Sequence, residues 1–218
     1  MTSGQQPNRK RVLIVDDHPI TRSGLVQLIN SQPDLEVCGE AGNAANALSA
    51  LDACDPDLAI VDITLPDKNG LELIKDIRAL RPGLPILVIS MHEESLYAER
   101  VLRAGARGYV MKREGGEKLM QAIRQVAKGK ISLSERMSGQ ILELFSGREP
   151  RRQRSRIEQL SDREFEVFEL IGAGLSAREI AAKLHLSAKT VQAHRANIMR
   201  KLQVKSVSKL VSYSARWM

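Results

Sequence analysis

Cysteine is nearly absent from this 218-residue chain: Cys38 and Cys54 are the only two, too few for a disulfide framework and too scattered for a zinc site. Such usage fits a reducing cytoplasm. Long apolar runs are missing as well, and none approaches the roughly 18 residues that would span a bilayer. The opening stretch MTSGQQPNRK carries no apolar segment of the kind a secretory signal needs, so neither export nor membrane insertion is signalled. Net charge is lacking over most of the chain. Residues 1–130 hold 17 Lys+Arg and 17 Asp+Glu, which leaves the whole formal charge of +7 on the remaining 88 residues. That basic end suits a polyanionic partner, although a merely solvated surface would carry the same charge. With 43% hydrophobic residues, the chain has enough apolar surface for a core in each of one or two domains.

Four short apolar runs end in a polar residue. Arg11 to Val15 leads into Asp16 and Asp17, Leu58 to Val61 into Asp62, Ile86 to Ile89 into Ser90, and Tyr109 to Met111 into Lys112. A further extended run covers Glu36 to Glu40. Segments of period 3.6 fill the intervals, with Leu25, Leu28 and Ile29; Ala44, Ala47, Leu48 and Leu51; Leu71, Ile74 and Ile77; Tyr97, Val101 and Leu102; and Leu119, Ile123 and Val126. Alternation of five strands with five helices predicts a parallel, doubly wound α/β sheet covered on both faces. In such sheets ligands gather beyond the carboxyl ends of the strands.

By that rule Asp16, Asp17, Asp62, Ser90 and Lys112 converge on one edge. Three carboxylates this close repel one another unless a divalent cation neutralises them, and oxygen-only ligands favour Mg²⁺ over zinc. An Asp62 oxygen so shielded can attack a phosphoryl group in line, while Lys112 and the metal stabilise its equatorial oxygens. Each residue has a plainer reading, as helix cap, turn former or solvated lysine. Five of them at consecutive strand ends, in the order acid pair, acid, hydroxyl, lysine, weigh against independent capping.

The segments LIVDDHP, AIVDITLPDKNG, LVIS and ARGYVMK carry a resemblance: residues 9–130 are similar to the receiver domain of response regulators. The resemblance implies that Asp17 binds Mg²⁺ directly, Asp16 acts mainly through water, the Thr64 main-chain carbonyl is a further ligand, and Asp62 is phosphorylated. It implies that Ser90 and Lys112 hold the phosphoryl oxygens, and it places Tyr109 at the aromatic switch position, where a half-buried core aromatic is the alternative. Pro66 and Gly70 suit the tight loop after the phosphoacceptor. Lys112 is followed by Arg113, without the proline found in many receivers. His18 and His92, as loop histidines, are read as solvated and left outside the site.

From Ile131 to Phe145, Met137, Ile141, Leu142 and Phe145 at helical spacing predict an amphipathic helix, and SGREPRRQRSR then reads as an extended tether, so that residues 131–157 form a linker with a helical first part. Residues 158–218 read as helices in quick succession. Ser161 with Glu164, and Ser176 with Glu179, are capping-box patterns; Gly172 and Gly174 end the first helix; Ser187 starts the third. A short helix Ala177 to Leu184, the turn His185-Leu186-Ser187 and a longer helix give helix-turn-helix spacing. Steps of 100° set Val191, Ile198 and Leu202 on one stripe and Lys189, Gln192, Ala193, Ala196 and Arg200 opposite. Gln192 can read an adenine edge, Lys189 can reach guanine or phosphate, and the two alanines allow close approach to base pairs. Thr190, Arg195 and Arg200 suit the DNA backbone. His194 reads as a packing or capping residue.

This part resembles the LuxR-type helix-turn-helix, and its union with a receiver is similar to the NarL/FixJ family of response regulators. The resemblance implies a transcription factor that a histidine kinase phosphorylates, that binds double-stranded DNA as a homodimer, and whose dimer contact comes from Val207 to Trp217; a plain core role for that helix stays open. An enzyme reading, a phosphatase of the haloacid-dehalogenase type, requires a second acid two residues after Asp62, where Thr64 stands. A third reading keeps the architecture but makes the receiver a phosphorylation-independent interaction module.

Overall fold

In a computed structural model of the protein, which describes residues 9–145 and 156–217, the apolar runs form five parallel strands. They are β1 Lys10–Val15, β2 Leu35–Ala41, β3 Leu58–Asp62, β4 Ile86–Ser90 and β5 Gly108–Met111, in the sheet order β2-β1-β3-β4-β5. Parallel neighbours need a crossover, and helices supply each one. These are α1 Pro19–Asn30, α2 Ala44–Cys54, α3 Gly70–Leu80 and α4 Glu94–Ala104, while α5 Gly116–Ala127 follows β5. Every residue of β3 and β4 is buried, as a central parallel strand requires. Val12, Ile14, Leu58, Ile60, Leu87 and Ile89 pack with Leu25 and Ile29 of α1 and Leu119 and Ile123 of α5. The alternate residues Leu13, Val15, Ala59, Val61 and Val88, equally buried, face the other side.

The sheet has one irregularity, at its edge. Val12 pairs with Val37 but Leu13 pairs with Gly39, so Cys38 is the extra residue of a bulge in β2.

A sixth helix, α6 Glu135–Phe145, starts four residues later than the amphipathic pattern predicts. Ser132 explains the delay: its carbonyl accepts from Tyr109 N at 3.0 Å and its N–H donates to Arg107 O at 2.9 Å, which holds the chain extended beside β5. Ser134 Oγ then accepts from Met137 N at 3.2 Å and opens the helix. Met137 is buried as expected, whereas Ile131 and Leu142 are exposed. The tether expected over SGREPRRQRSR falls, but for its last residue, outside the described residues.

The chain divides into two compact units after Phe145. In the second, a 3₁₀ turn Arg156–Gln159 precedes α7 Asp162–Gly172, α8 Ala177–Lys183, α9 Ala188–Leu202 and α10 Val207–Ala215. Both capping boxes form, with Glu164 N bonded to Ser161 Oγ and Glu179 N to Ser176 Oγ, each at 3.3 Å. Gly174 takes the left-handed φ of +84° just after α7. Between α8 and α9, His185 adopts φ +52°, a left-handed turn on a non-glycine residue. Phe165, Phe168, Ile180, Val191, Ile198, Leu202 and Leu210 form the core. The segment Val207 to Trp217 divides: Leu210 and Ser214 are buried, Val207 and Val211 are exposed, and Trp217 lies past the helix end. Among the described residues no helix is long and apolar enough to cross a membrane.

Candidate functional site

Strand register assembles the acidic edge. Val15 pairs with Val61, so Asp16 and Asp62 leave the sheet at the same level; Asp62 pairs with Ile89, and Ser90 with Met111, which brings Ser90 and Lys112 to that level in turn. All the strand-end residues singled out by sequence meet here. Asp16 and Ser90 are fully buried and Asp62 is 2% exposed. The Lys112 ammonium lies between two carboxylates, 2.6 Å from Asp62 Oδ2 and 2.7 Å from Asp16 Oδ2. Only the first contact has hydrogen-bond alignment, so Asp16 Oδ2 remains a buried acceptor held by charge alone. Asp16 Oδ1 accepts from His18 N at 2.8 Å, and Asp62 Oδ1 accepts from Thr64 N at 3.2 Å.

These contacts set the electrostatics. Burial is the largest influence on Asp62 and lifts its carboxyl above the usual range; Lys112 works against that lift and Asp16 adds to it. Burial opposes the charge of Lys112, but the two carboxylates outweigh it and raise the ammonium. The two groups differ because burial prevails at Asp62, which has one cation beside it, and is outweighed at Lys112, which faces two anions.

Asp17 completes a group in which oxygens of Asp16, Asp17 and Asp62 and a ring nitrogen of His18 lie within 4.8 Å of one another. Asp17 Oδ1 is 2.6 Å from His18 Nδ1 without hydrogen-bond alignment. Three carboxylates against one ammonium, with two buried oxygens short of donors, fit a hard divalent cation of the kind that receiver domains bind. Thr64, where a phosphatase would carry its second acid, places its hydroxyl 3.3 Å from His92 Nε2.

His92 is not the solvated loop residue its sequence position suggests. Its N–H donates to Ser90 Oγ at 3.1 Å, its carbonyl accepts from the Tyr109 hydroxyl at 2.8 Å, and its ring lies 4.9 Å from that of Tyr97. Burial, then the nearby Lys112, depress its pKa. His18, by contrast, is exposed as read, but its ring sits among the acids. Tyr109 is fully inside, not half-buried. Sequence reading also missed Asp67, in the loop after β3. Its carboxylate accepts from Ala44 N at 2.9 Å and Ala45 N at 3.0 Å, which ties the loop to the start of α2. Burial raises the Asp67 pKa, but these backbone donors outweigh it and hold the carboxyl low. An acid shortly after Asp62, with Asn43 opening a helix elsewhere, was the available signal.

In the helical unit, Val191, Ile198 and Leu202 are buried while Lys189, Gln192, Ala193, Ala196 and Arg200 are exposed, as the 100° steps require. Thr190 is exposed and its hydroxyl lies 2.8 Å from Ser187 Oγ, at the helix start. Arg195 departs from the exposed set: it is half-buried, and its Nε is buried without a hydrogen-bond partner among the described residues. His194 is half-buried.

Two family models match the chain, the response regulator receiver domain over residues 12–124 and the bacterial regulatory proteins of the luxR family over residues 158–214. The transcriptional regulatory protein UhpA of Escherichia coli K12 is 38% identical over 193 residues, 88% of this chain and 91% of UhpA. The oxygen regulatory protein NreC of Staphylococcus carnosus is 34% identical over 210 residues, 94% of this chain and 97% of NreC. Among solved structures, RcsB from Salmonella enterica serovar Typhimurium, bound to promoter P1flhDC in the presence of phosphomimetic BeF3⁻, matches with a TM-score of 0.71 and 29% identity, over 96% of this chain and 100% of that one. With receiver and helix-turn-helix both matched, in that order and over nearly the full length of its relatives, the chain belongs to the NarL/FixJ family of response regulators.

Proposed function

We propose that Asp62 accepts a phosphoryl group from a partner histidine kinase and that this event controls dimerisation and binding of double-stranded DNA by residues 158–218. The observation that carries the reading is the Lys112 ammonium, held within 2.7 Å of both Asp16 and Asp62 at the carboxyl edge of the sheet. The domain limits are those of the sequence: 9–130 for the receiver, 131–157 for the linker and 158–218 for the DNA-binding domain. A cytoplasmic site of action accords with a kinase and DNA as partners.

Asp16, Asp17, Asp62 and the Thr64 main-chain carbonyl would hold Mg²⁺, whose charge offsets that of the carboxylates and of the arriving phosphoryl oxygens. An Asp62 oxygen attacks phosphorus as the phosphorus–nitrogen bond of the kinase phosphohistidine breaks, leaving the imidazole with the electron pair. Lys112, already against Asp62 Oδ2, neutralises charge on the transferred group. The phosphoryl oxygens draw the Ser90 hydroxyl towards them. Ser90 Oγ accepts from His92 N and the His92 carbonyl accepts from Tyr109, so a single residue links the hydroxyl to the aromatic ring. Displacing Ser90 therefore strains the Tyr109 contact, the physical content of a switch between two arrangements.

On α9, Lys189, Gln192, Ala193 and Ala196 form the face that enters the major groove, with Thr190, Arg195 and Arg200 to the phosphates. The half-buried Arg195 reaches DNA only by its guanidinium tip.

Incubation with acetyl phosphate and Mg²⁺ followed by a phosphate-affinity gel tests the first step. The full chain is expected to give a shifted band and Asp62→Asn none; an equal band from the variant would remove Asp62 as the acceptor. Footprinting tests the second. Gln192→Ala should relax base preference with a loss of about 1–3 kcal/mol, and unchanged affinity and preference would dismiss this face as the reader.

A further inference from the structure

The two cysteines, scattered in sequence, meet in space, and the acidic edge makes no use of them. Cys38 lies in β2 and Cys54 is the last residue of α2, yet their sulfurs are 3.1 Å apart, with the Cys38 thiol donating to Cys54 Sγ. Three features build this approach. The bulge makes Cys38 the extra residue of the edge strand, which frees its side chain from the regular alternation of the sheet. Gly39 supplies space, since a Cβ there would lie 3.0 Å from Cys54 Sγ and 3.2 Å from Leu13 Cδ1. Asp55, in the left-handed region at φ 38°, stops α2 immediately after Cys54 while its N–H donates to the Leu51 carbonyl. Cys38 is partly exposed and Cys54 is buried, so one thiol meets solutes and the other waits behind it.

We propose that Cys38 and Cys54 form an oxidisable dithiol that closes to an intramolecular disulfide when it meets a low-molecular-weight disulfide, with Cys38 as the entering thiol and Cys54 as the resolving one. The Cys38 thiolate attacks one sulfur of the small disulfide, whose S–S bond breaks and releases one small thiolate that takes up a proton. Cys54, deprotonated, then attacks Cys38 Sγ; the Cys38–Cys54 bond forms as the second small thiol leaves. Two protein thiols are oxidised and one small disulfide is reduced to two thiols. The sulfurs must approach by about 1 Å to reach bonding distance, within the reach of side-chain rotation.

The geometry also sets the rate. Burial, then the hydrogen bond with Cys54, push the Cys38 thiol up to about 12. Little thiolate exists near neutrality, so closure is slow there and quickens about tenfold per pH unit on the way to that value. The bond would join the edge strand to the C-terminal end of α2, whereas Asp67 meets the opposite end of that helix. Phosphorylation of Asp62 is therefore expected to proceed equally in the oxidised and reduced protein, and this proposal stands apart from that reading.

The test uses the full chain with oxidised glutathione at pH 7, 8 and 9, quenched with acid, alkylated and weighed intact. Because the chain has only two cysteines, a monomer lighter by two hydrogen atoms that takes up no alkylating agent identifies the bond without peptide mapping. That product is expected, forming about tenfold faster at pH 8 than at pH 7. Cys54→Ser should accumulate a glutathione adduct on Cys38, and Gly39→Ala should slow closure in the chain that keeps both cysteines. The wild-type reading needs no variant to fold. A chain that remains doubly alkylated, or one that yields only intermolecular dimers, would overturn the proposal.

Discussion

Asp62 carries its charge against the preference of its surroundings, and that has a cost in stability. The native state binds the Asp62 proton more tightly than the unfolded chain does, so stability is lost as pH rises from the unfolded value of 3.8 through the raised native one. Above that window the native protein holds two buried carboxylates on one ammonium. Asp62→Asn removes one of them and leaves Lys112 to Asp16. In chelator at neutral pH the variant is expected to gain on the order of 1 kcal/mol, read as a higher urea midpoint; a lower midpoint would show that the Asp62–Lys112 pair stabilises the fold. Asp16, Asp62, Ser90 and Lys112 were legible because each ends an apolar run, and parallel strands bring such ends together. His92 and Asp67 were not, because their partners depend on the path of loops that no periodicity encodes. The cysteines stayed hidden for a related reason: a one-residue bulge brings Cys38 to Cys54, and nothing in the strand pattern announces it.

Elements were read best where their signals are local. The Ser161/Glu164 and Ser176/Glu179 boxes, and the buried stripe of α9, depend on spacings of three to seven residues and form as expected. The start of α6 depends instead on Ser132 joining β5, a tertiary contact, and the pattern placed it too early. Glu164 shows both kinds of information in one side chain. It closes the capping box, and it also meets Lys201 at 2.5 Å, 37 positions along the chain. Burial alone would raise its pKa, but Lys201 and the Ser161 contacts outweigh burial and lower it. A lowered native pKa gives stability that is present above the unfolded value of 4.5 and is lost as pH falls through the native one. Glu164→Gln keeps the box and removes the charge. The variant should lose about 1 kcal/mol at pH 7 and progressively less as pH falls through the lowered native value, so that its thermal midpoint falls less steeply with acid than the parent's; parallel curves would mean that Lys201 contributes nothing. Gly70, at the start of α3, belongs to the same scale. A Cβ there would stand 2.2 Å from the Asp62 carbonyl oxygen and 2.7 Å from Ile63 Cα, both backbone atoms that cannot swing aside. Gly70→Ala is expected to cost about 3 kcal/mol by denaturant unfolding and to displace the loop that follows Asp62.

For the molecule as a whole, the division of charge is the widest feature of the sequence. A balanced receiver is joined to a segment that holds the entire excess of +7, so the charge that suits a polyanion sits with the LuxR-type DNA-binding domain and not with the acidic edge. Any coupling between the two is a free energy, and it has to be reciprocal. Beryllofluoride, a reversible mimic of the phosphoryl group, makes this measurable without turnover. If it tightens the hold of the chain on a duplex selected from a random pool, saturating duplex must tighten the hold on beryllofluoride by the same factor. A firm switch, from 1:99 to 99:1, requires about 10⁴-fold discrimination between the two states, and a tenfold effect is already about 1.4 kcal/mol. Titrating each ligand in the presence and absence of the other closes the cycle. Equal factors above ten are expected. Factors of one on both arms would leave Asp62 without influence on the DNA-binding domain and make the receiver an interaction module. Because the two factors must agree wherever beryllofluoride binds, the site is read from Asp62→Asn. Run through the same two titrations, it is expected to lose the response, and a response that it kept would place the action of beryllofluoride somewhere other than Asp62.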